Sequence, residues 1–164
     1  MLELFYPRIK VDTIYDINID ELETNNIRGL ILDIDNTLVG HGIIEADSNV
    51  LEWIEKVKKT GMKICIVSNN TKDRVIKFTE SLKIPAIHRA SKPRKKAFIK
   101  AAKMMDLLPH EVAVIGDQIF TDILGGNRLG MITVLVNPVD FKEPFFIKIK
   151  RFFEKIVMIG FDKK

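Results

Sequence analysis

Gly29-Leu30-Ile31-Leu32-Asp33-Ile34-Asp35-Asn36-Thr37 is an unbroken apolar run that ends abruptly in two carboxylates two positions apart. A short apolar run without polar alternation reads as a strand buried on both faces, the kind found in parallel sheets covered by helices. Two positions along a strand return a side chain to the same face, so Asp33 and Asp35 leave the strand together. Like charges at a buried strand end need a cation or a shared proton, and a divalent metal meets that need.

Outward from this stretch the pattern repeats. Lys63-Ile64-Cys65-Ile66-Val67, Val112-Ala113-Val114-Ile115 and Ile132-Thr133-Val134-Leu135-Val136 are further apolar, β-prone runs, and Pro85 to His88 is a shorter fifth. Helical spacing lies between them: Val50, Leu51, Ile54 and Val57 with Trp53; Val75, Ile76, Thr79 and Leu82; and Ala97, Phe98, Ala101, Ala102 and Met105. Gly61 stops the first helix, Pro85 follows the second, and Pro93 is expected to open the third. The alternation predicts an α/β fold: a Rossmann-like, doubly wound parallel sheet of about five strands with right-handed crossovers. Ligands of such sheets sit beyond the carboxyl ends of the strands.

Polar groups gather at those ends. Val67 runs into Ser68-Asn69-Asn70-Thr71, donors ahead of a helix start where anions, phosphate above all, are favoured. Ser91-Lys92-Pro93 puts a cation before the third helix, and Ile115 runs into Gly116-Asp117-Gln118-Ile119-Phe120-Thr121-Asp122, a second carboxylate pair. Plainer readings stand beside these. Ser68 and Asn69 could only cap a helix; Asp122 could cap one starting near Ile123. Lys92 could be one more solvated charge beside Arg94, Lys95 and Lys96. Gly125, Gly126 and Gly130 follow no strand and read as turns and close packing rather than a phosphate loop. His41, in the loop after Asp35, is placed to touch a substrate, whereas His88 and His110 read as structural or exposed. Cys65, inside a strand, reads as a small buried hydrophobe.

The chain has 164 residues, 46% hydrophobic and 29% charged, which fits one globular domain that needs no disulfide or structural metal. One cysteine excludes an internal disulfide and a multi-cysteine zinc site, and suits a reducing compartment. Met1 to Lys10 carries Glu3, Arg8 and Lys10 and does not read as a secretory signal, and no apolar run is long enough to span a membrane. The net charge of +4 sits entirely in residues 141–164, with seven Lys/Arg against three Asp/Glu, while residues 1–140 hold nineteen of each. No nucleic-acid partner is expected from that distribution. If Glu143 to Met158 is helical, Phe145, Phe146, Ile149, Phe152, Phe153, Ile156 and Val157 share one side and Lys148, Arg151 and Lys155 the other. Such a basic amphipathic segment suits either an anionic membrane surface or a closing helix packed on the sheet.

Asp33-x-Asp35-x-Thr37, Ser68-Asn69, Lys92-Pro93 and Gly116-Asp117-x-x-x-x-Asp122, in that order, resemble the four motifs of the haloacid dehalogenase (HAD) superfamily of phosphatases. The resemblance implies Asp33 as nucleophile forming an aspartyl-phosphate, Asp35 as acid and base, and Ser68, Asn69 and Lys92 as ligands of the transferring phosphoryl group. It implies Mg²⁺ held by Asp33, the backbone carbonyl of Asp35 and Asp117, with Asp122 as a ligand or its neighbour. Thr37 to Ser68 and Asn70 to Lys92 are too short to carry an inserted cap, so a capless member, subclass IIIA, is implied. Phe5-Tyr6-Pro7, Ile14-Tyr15-Asp16-Ile17, Cys65 to Asn70 and Gly125 to Gly130 are similar to the YqeG-type bacterial phosphatases, related to phosphatidylglycerophosphate phosphatases. That implies one phosphatase domain over 1–164, a lipid-linked phosphomonoester as substrate, and a place in the cytoplasm at the membrane periphery. A soluble sugar, nucleotide or protein phosphate would suit the same motifs, and an idle binding module on this fold is the contrasting alternative.

Overall fold

The computed structural model describes residues 2–140 and 145–161. Six parallel strands form one sheet: β1 (Ile9–Val11), β2 (Gly29–Leu32), β3 (Lys63–Val67), β4 (Ala86–Ile87), β5 (Val112–Gly116) and β6 (Ile132–Val136), in the order β1-β6-β5-β2-β3-β4. The four long apolar runs are the central strands, and Pro85 to His88 contributes the two-residue edge strand β4. The sixth strand, β1, lies outside the sequence expectation. Its three residues carry a lysine between two aliphatics, a pattern too short to stand out; it is placed by pairing with β6 (Ile9 opposite Val134) and by packing of Ile9 and Val11 on the core.

Helices α1 (Ile19–Thr24), α2 (Ser48–Lys59) and α3 (Lys72–Thr79) lie on one face, and α4 (Lys95–Met104) and α5 (Leu124–Asn127) on the other. Strand pleating sorts the side chains between the layers: Leu30, Leu32, Ile64, Ile66, Ala113 and Ile115 pack with α1 to α3, whereas Ile31, Cys65, Val67, Val112 and Val114 pack with α4. Asp47 caps α2 by accepting from the Val50 N–H at 2.9 Å, and Gly61, at φ +89°, follows its end.

Two details differ from the sequence reading. α3 buries Val75 and Phe78 and leaves Ile76 exposed, because Phe78, one turn from Val75, fills the space under the sheet. Pro93 does not open α4: Arg94 is the N-cap and Lys95 the first helical residue, with Pro93 in the preceding turn. Gly125 and Gly126 serve close packing, as read: a Cβ would collide with the Phe98 ring at the first and with Thr133 at the second.

The last helix, α6, runs Phe145–Phe161. Glu143 and its neighbour Pro144, the start of the expected helix, lie outside the described residues, as do the rest of 141–144 and 162–164 of the basic tail. α6 does not close the sheet with its apolar side. Glu154 is its one buried residue, while Phe145, Phe146, Phe152 and Phe153 face outward.

Candidate active site

The strand order reverses direction between β2 and β5: from β2 the chain proceeds outward through β3 and β4, then returns to place β5 on the other flank of β2. The crevice at such a reversal is where open parallel sheets bind ligands. β2 delivers Asp33 there and β5 delivers Asp117, and the Asp33 N–H still donates to the Ile115 carbonyl at 3.1 Å, so the two ends are held in register.

Asp33, Asp117 and Asp122 are all buried, and each offers an oxygen within 4.8 Å of the others. Lys92 is buried with them. Its ammonium donates to Asp33 Oδ1 at 2.8 Å and to Asp122 Oδ1 at 2.6 Å. Arg94, Lys95 and Lys96 are exposed, so Lys92 is distinct from that run. Asp122 is not a helix cap: it lies within the wide turn Ile119–Ile123, accepts from the Gln118 N–H at 3.3 Å, and spends its other oxygen on Lys92. Gly116 makes room for it, since a Cβ there would overlap the Asp122 carboxylate.

Burial dominates the charge balance. It raises the Asp33 carboxyl from 3.8 to about 7, with Lys92 opposing and the neighbouring Asp122 and Asp117 adding to the rise. Asp117 is raised to about 6, again chiefly by burial, with an opposing guanidinium from Arg151. Burial would lower the Lys92 ammonium, but Asp122 and Asp33 more than reverse this and hold it above its ordinary value.

Asp35 is tied elsewhere. Its carboxylate accepts from Asn70 Nδ2 at 3.0 Å, the Gly42 N–H at 3.2 Å and Arg74 Nη2 at 3.2 Å. Burial raises it, yet the bonds from Asn70 and Gly42 and the Arg74 charge outweigh that and leave it below the usual carboxylate range. His41 reaches the same group, with Nδ1 4.0 Å from Asp35 Oδ1.

Ser68 is buried at the end of β3, where its hydroxyl accepts from the Asn70 N–H at 3.1 Å. Asn69 braces the lysine: its Oδ1 accepts from the Lys92 N–H at 2.7 Å. Neither residue caps α3, whose N-cap is Thr71. Thr37 donates to Asp117 Oδ1 at 3.1 Å. Every residue singled out by the motifs therefore converges on one end of the sheet.

Two further arginines stand here that the sequence reading did not select for the site. Arg74, on α3, gives one nitrogen to Asp35, lies 5.5 Å from the Phe78 ring centroid, and has Nε and Nη1 buried without a hydrogen-bond partner. Its signal is faint, a basic residue in the first turn after Ser68-Asn69-Asn70-Thr71. Arg151, on α6, donates through Nη2 to Asp117 Oδ2 and through Nη1 to the Asp117 carbonyl. The sequence sets it with Lys148 and Lys155 on the basic side of the tail, and no local pattern reveals that the helix attaches by that side. Cys65 and His110 stay apart from the site: burial pushes the Cys65 thiol up to about 12, and His110 is exposed.

Three buried carboxylates against two engaged cations favour a further positive charge, and an all-oxygen donor set suits a hard divalent cation. The site residues thus fit the metal that the motifs imply.

Residues 2–140 match the family described as "Mitochondrial PGP phosphatase". Among curated proteins, the chain is 41% identical over 162 residues to "Probable phosphatase YqeG" of Bacillus subtilis (strain 168), covering 99% of this chain and 94% of that one. It is 28% identical over 154 residues to the chloroplastic/mitochondrial phosphatidylglycerophosphate phosphatase 1 of Arabidopsis thaliana, covering 87% of this chain but 44% of the plant protein. Two solved structures share the fold. The cobalt-bound deoxy-D-mannose-octulosonate 8-phosphate phosphatase from Haemophilus influenzae superposes with a TM-score of 0.56 at 14% identity, over 82% of this chain and 88% of the other. A HAD subfamily III A hydrolase from Legionella pneumophila superposes with a TM-score of 0.52 at 19% identity, over 87% and 94%.

Proposed function

The chain belongs to the mitochondrial PGP phosphatase family and is a HAD-superfamily phosphatase, and from that premise we propose that it hydrolyses phosphatidylglycerophosphate to phosphatidylglycerol and phosphate with the help of Mg²⁺. The observation that carries the chemistry is the buried Lys92 ammonium clamped between Asp33 and Asp122, with Asp117 alongside.

Asp33 attacks phosphorus through one carboxylate oxygen. A new P–O bond to Asp33 forms as the bond to the leaving alcohol breaks, and Asp35 supplies the proton that the departing oxygen takes up. A water then attacks the aspartyl-phosphate, returning a proton to Asp35, and the P–O bond to Asp33 breaks to release phosphate. Lys92 balances charge on the transferring group, and its two hydrogen bonds, to Asp33 and to Asp122, fix it there before substrate arrives. Ser68 stands buried at the end of β3 as a ligand for the phosphoryl oxygens, and Asn69 acts by bracing the Lys92 backbone. Asp35 must exchange Asn70, Gly42 and Arg74 for the leaving oxygen to serve as an acid, because its present bonds favour the ionised form. Asp33, Asp117 and the Asp35 backbone carbonyl would hold Mg²⁺, beside Asp122, and the ion would supply positive charge to the phosphoryl oxygens.

The lipid assignment draws on the family and on the absence of a cap between Thr37 and Lys92, where the described chain holds only a short loop, α2, β3, α3 and β4. A site without a cap admits a phosphate borne on a large or surface-held molecule. Phosphate release from phosphatidylglycerophosphate in mixed micelles, beside a panel of soluble phosphomonoesters, with Mg²⁺ or EDTA and with Asp33→Asn as the blank, tests the reading. Lipid-selective release, lost in EDTA and in the variant, is expected. Release from soluble esters alone would discard the lipid and keep the chemistry.

A further inference from the structure

α6 is attached inside out. Its inward residues are Arg151 and Glu154, which bond to Asp117 and to the Phe120 N–H, together with Lys150, whose ammonium donates to Gln118 Oε1 at 3.0 Å. Met158 and Phe161 add apolar contacts, against the Ile119, Ile123 and Leu135 cluster and against Tyr6. Its outward residues are Phe145, Phe146, Ile149, Phe152, Phe153, Ile156 and Ile159, between 46% and 78% exposed. Seven large apolar side chains on one face of a seventeen-residue helix form a continuous patch, not the scattered exposure of an ordinary surface.

We propose that this face is a docking surface for an anionic lipid bilayer, with α6 lying in the plane of the headgroups. The charge pattern selects the occupant. Lys148 and Lys155 are exposed at the edge of the apolar face, where they meet headgroup phosphates when the phenylalanines enter the acyl boundary. In a two-fold pair of copies the same lysines would be brought toward their like-charged equivalents, which disfavours a second copy as the cover. No helix among the described residues is long and apolar enough to cross a membrane, so the contact is along the surface. Arg151 joins this helix directly to the site carboxylate Asp117. A groove of about 740 Å³ lies beside the helix, lined by Leu135, Pro138, Phe152 and Met158 together with Asp117 and Arg151. The inference deepens the lipid reading, resting on it for the substrate, while surface binding itself requires no turnover.

The test is co-sedimentation of the full chain with phosphatidylcholine vesicles, with and without phosphatidylglycerol. The wild type is expected to pellet with the anionic vesicles about tenfold more than with neutral ones, and both Phe146→Glu/Phe153→Glu and Lys148→Glu/Lys155→Glu to lower that recovery about tenfold. Both variants should keep the wild-type melting temperature and turnover of a soluble phosphomonoester. Wild-type protein left in the supernatant, or variants that pellet like the wild type, would overturn the proposal. So would light scattering that shows a dimer broken by the phenylalanine variant without vesicle binding. Vesicle binding with no release from phosphatidylglycerophosphate would instead count against the substrate.

Discussion

Gly116 and Asp122 share one volume: the glycine has no Cβ, and the carboxylate fills the place where one would be. Gly116→Ala therefore pushes Asp122 off Lys92 Nζ or forces β5 away from its neighbours. Overpacking of this kind costs about 1–3 kcal/mol. Thermal unfolding should show that loss, and turnover should fall in parallel because Lys92 loses one of its two anchors. A variant with normal stability and normal turnover would show that Asp122 can move without consequence. The glycine was legible as part of a motif, yet its reason was not, since the clash spans six positions of chain that only the wide turn Ile119–Ile123 brings together. Lys92 was the reverse case. Composition alone leaves it in a solvated basic run, its place before Pro93 singles it out, and the structure buries it against two carboxylates.

At the scale of elements, the four central strands were written plainly because each is apolar on both faces, whereas β1 and the orientation of α6 were not. Amphipathic periodicity tells which residues share a side; it does not tell which side faces the protein. Arg151 decides that for α6, and it is also the link between the helix and the buried Asp117 carboxylate. Arg151→Ala removes one of the cations near Asp117, whose side chain has no exposed surface. Breaking a buried pair from one end destabilises by about 3–5 kcal/mol, less where the orphaned carboxyl takes up a proton. The metal-free protein is expected to melt at lower temperature, and the rise in melting temperature on adding Mg²⁺ to exceed that of the wild type. Scanning fluorimetry in EDTA and in Mg²⁺ checks both; an unchanged Mg²⁺ increment would mean that Arg151 and the ion do not share Asp117.

For the molecule as a whole, the buried carboxylates set a pH dependence. Asp33 near 7 and Asp117 near 6 both stand above the ordinary 3.8, so the metal-free native state keeps protons that the unfolded chain has released. Their contribution to stability is full at acid pH and is lost as pH rises through about 6 to 7. On the proposed reading Mg²⁺ would compete with those protons, so its stabilisation should be absent near pH 5 and grow through the same window; melting curves from about pH 5 to 8 with EDTA or Mg²⁺ test this. An increment that is flat with pH would show the carboxylates already ionised. One pairing in the sheet bears on how the chain comes into being. Arg8, beside β1, donates to Thr133 across 125 positions of sequence, and among the described residues β1 pairs with β6 alone. During synthesis the first strand must wait, unpaired, until almost the whole chain has left the ribosome, which makes closure of this edge a late and slow step of folding. Until then β6 or its empty neighbour position offers a bare edge to any other nascent strand, and in a chain shortened at the front that opening would be permanent.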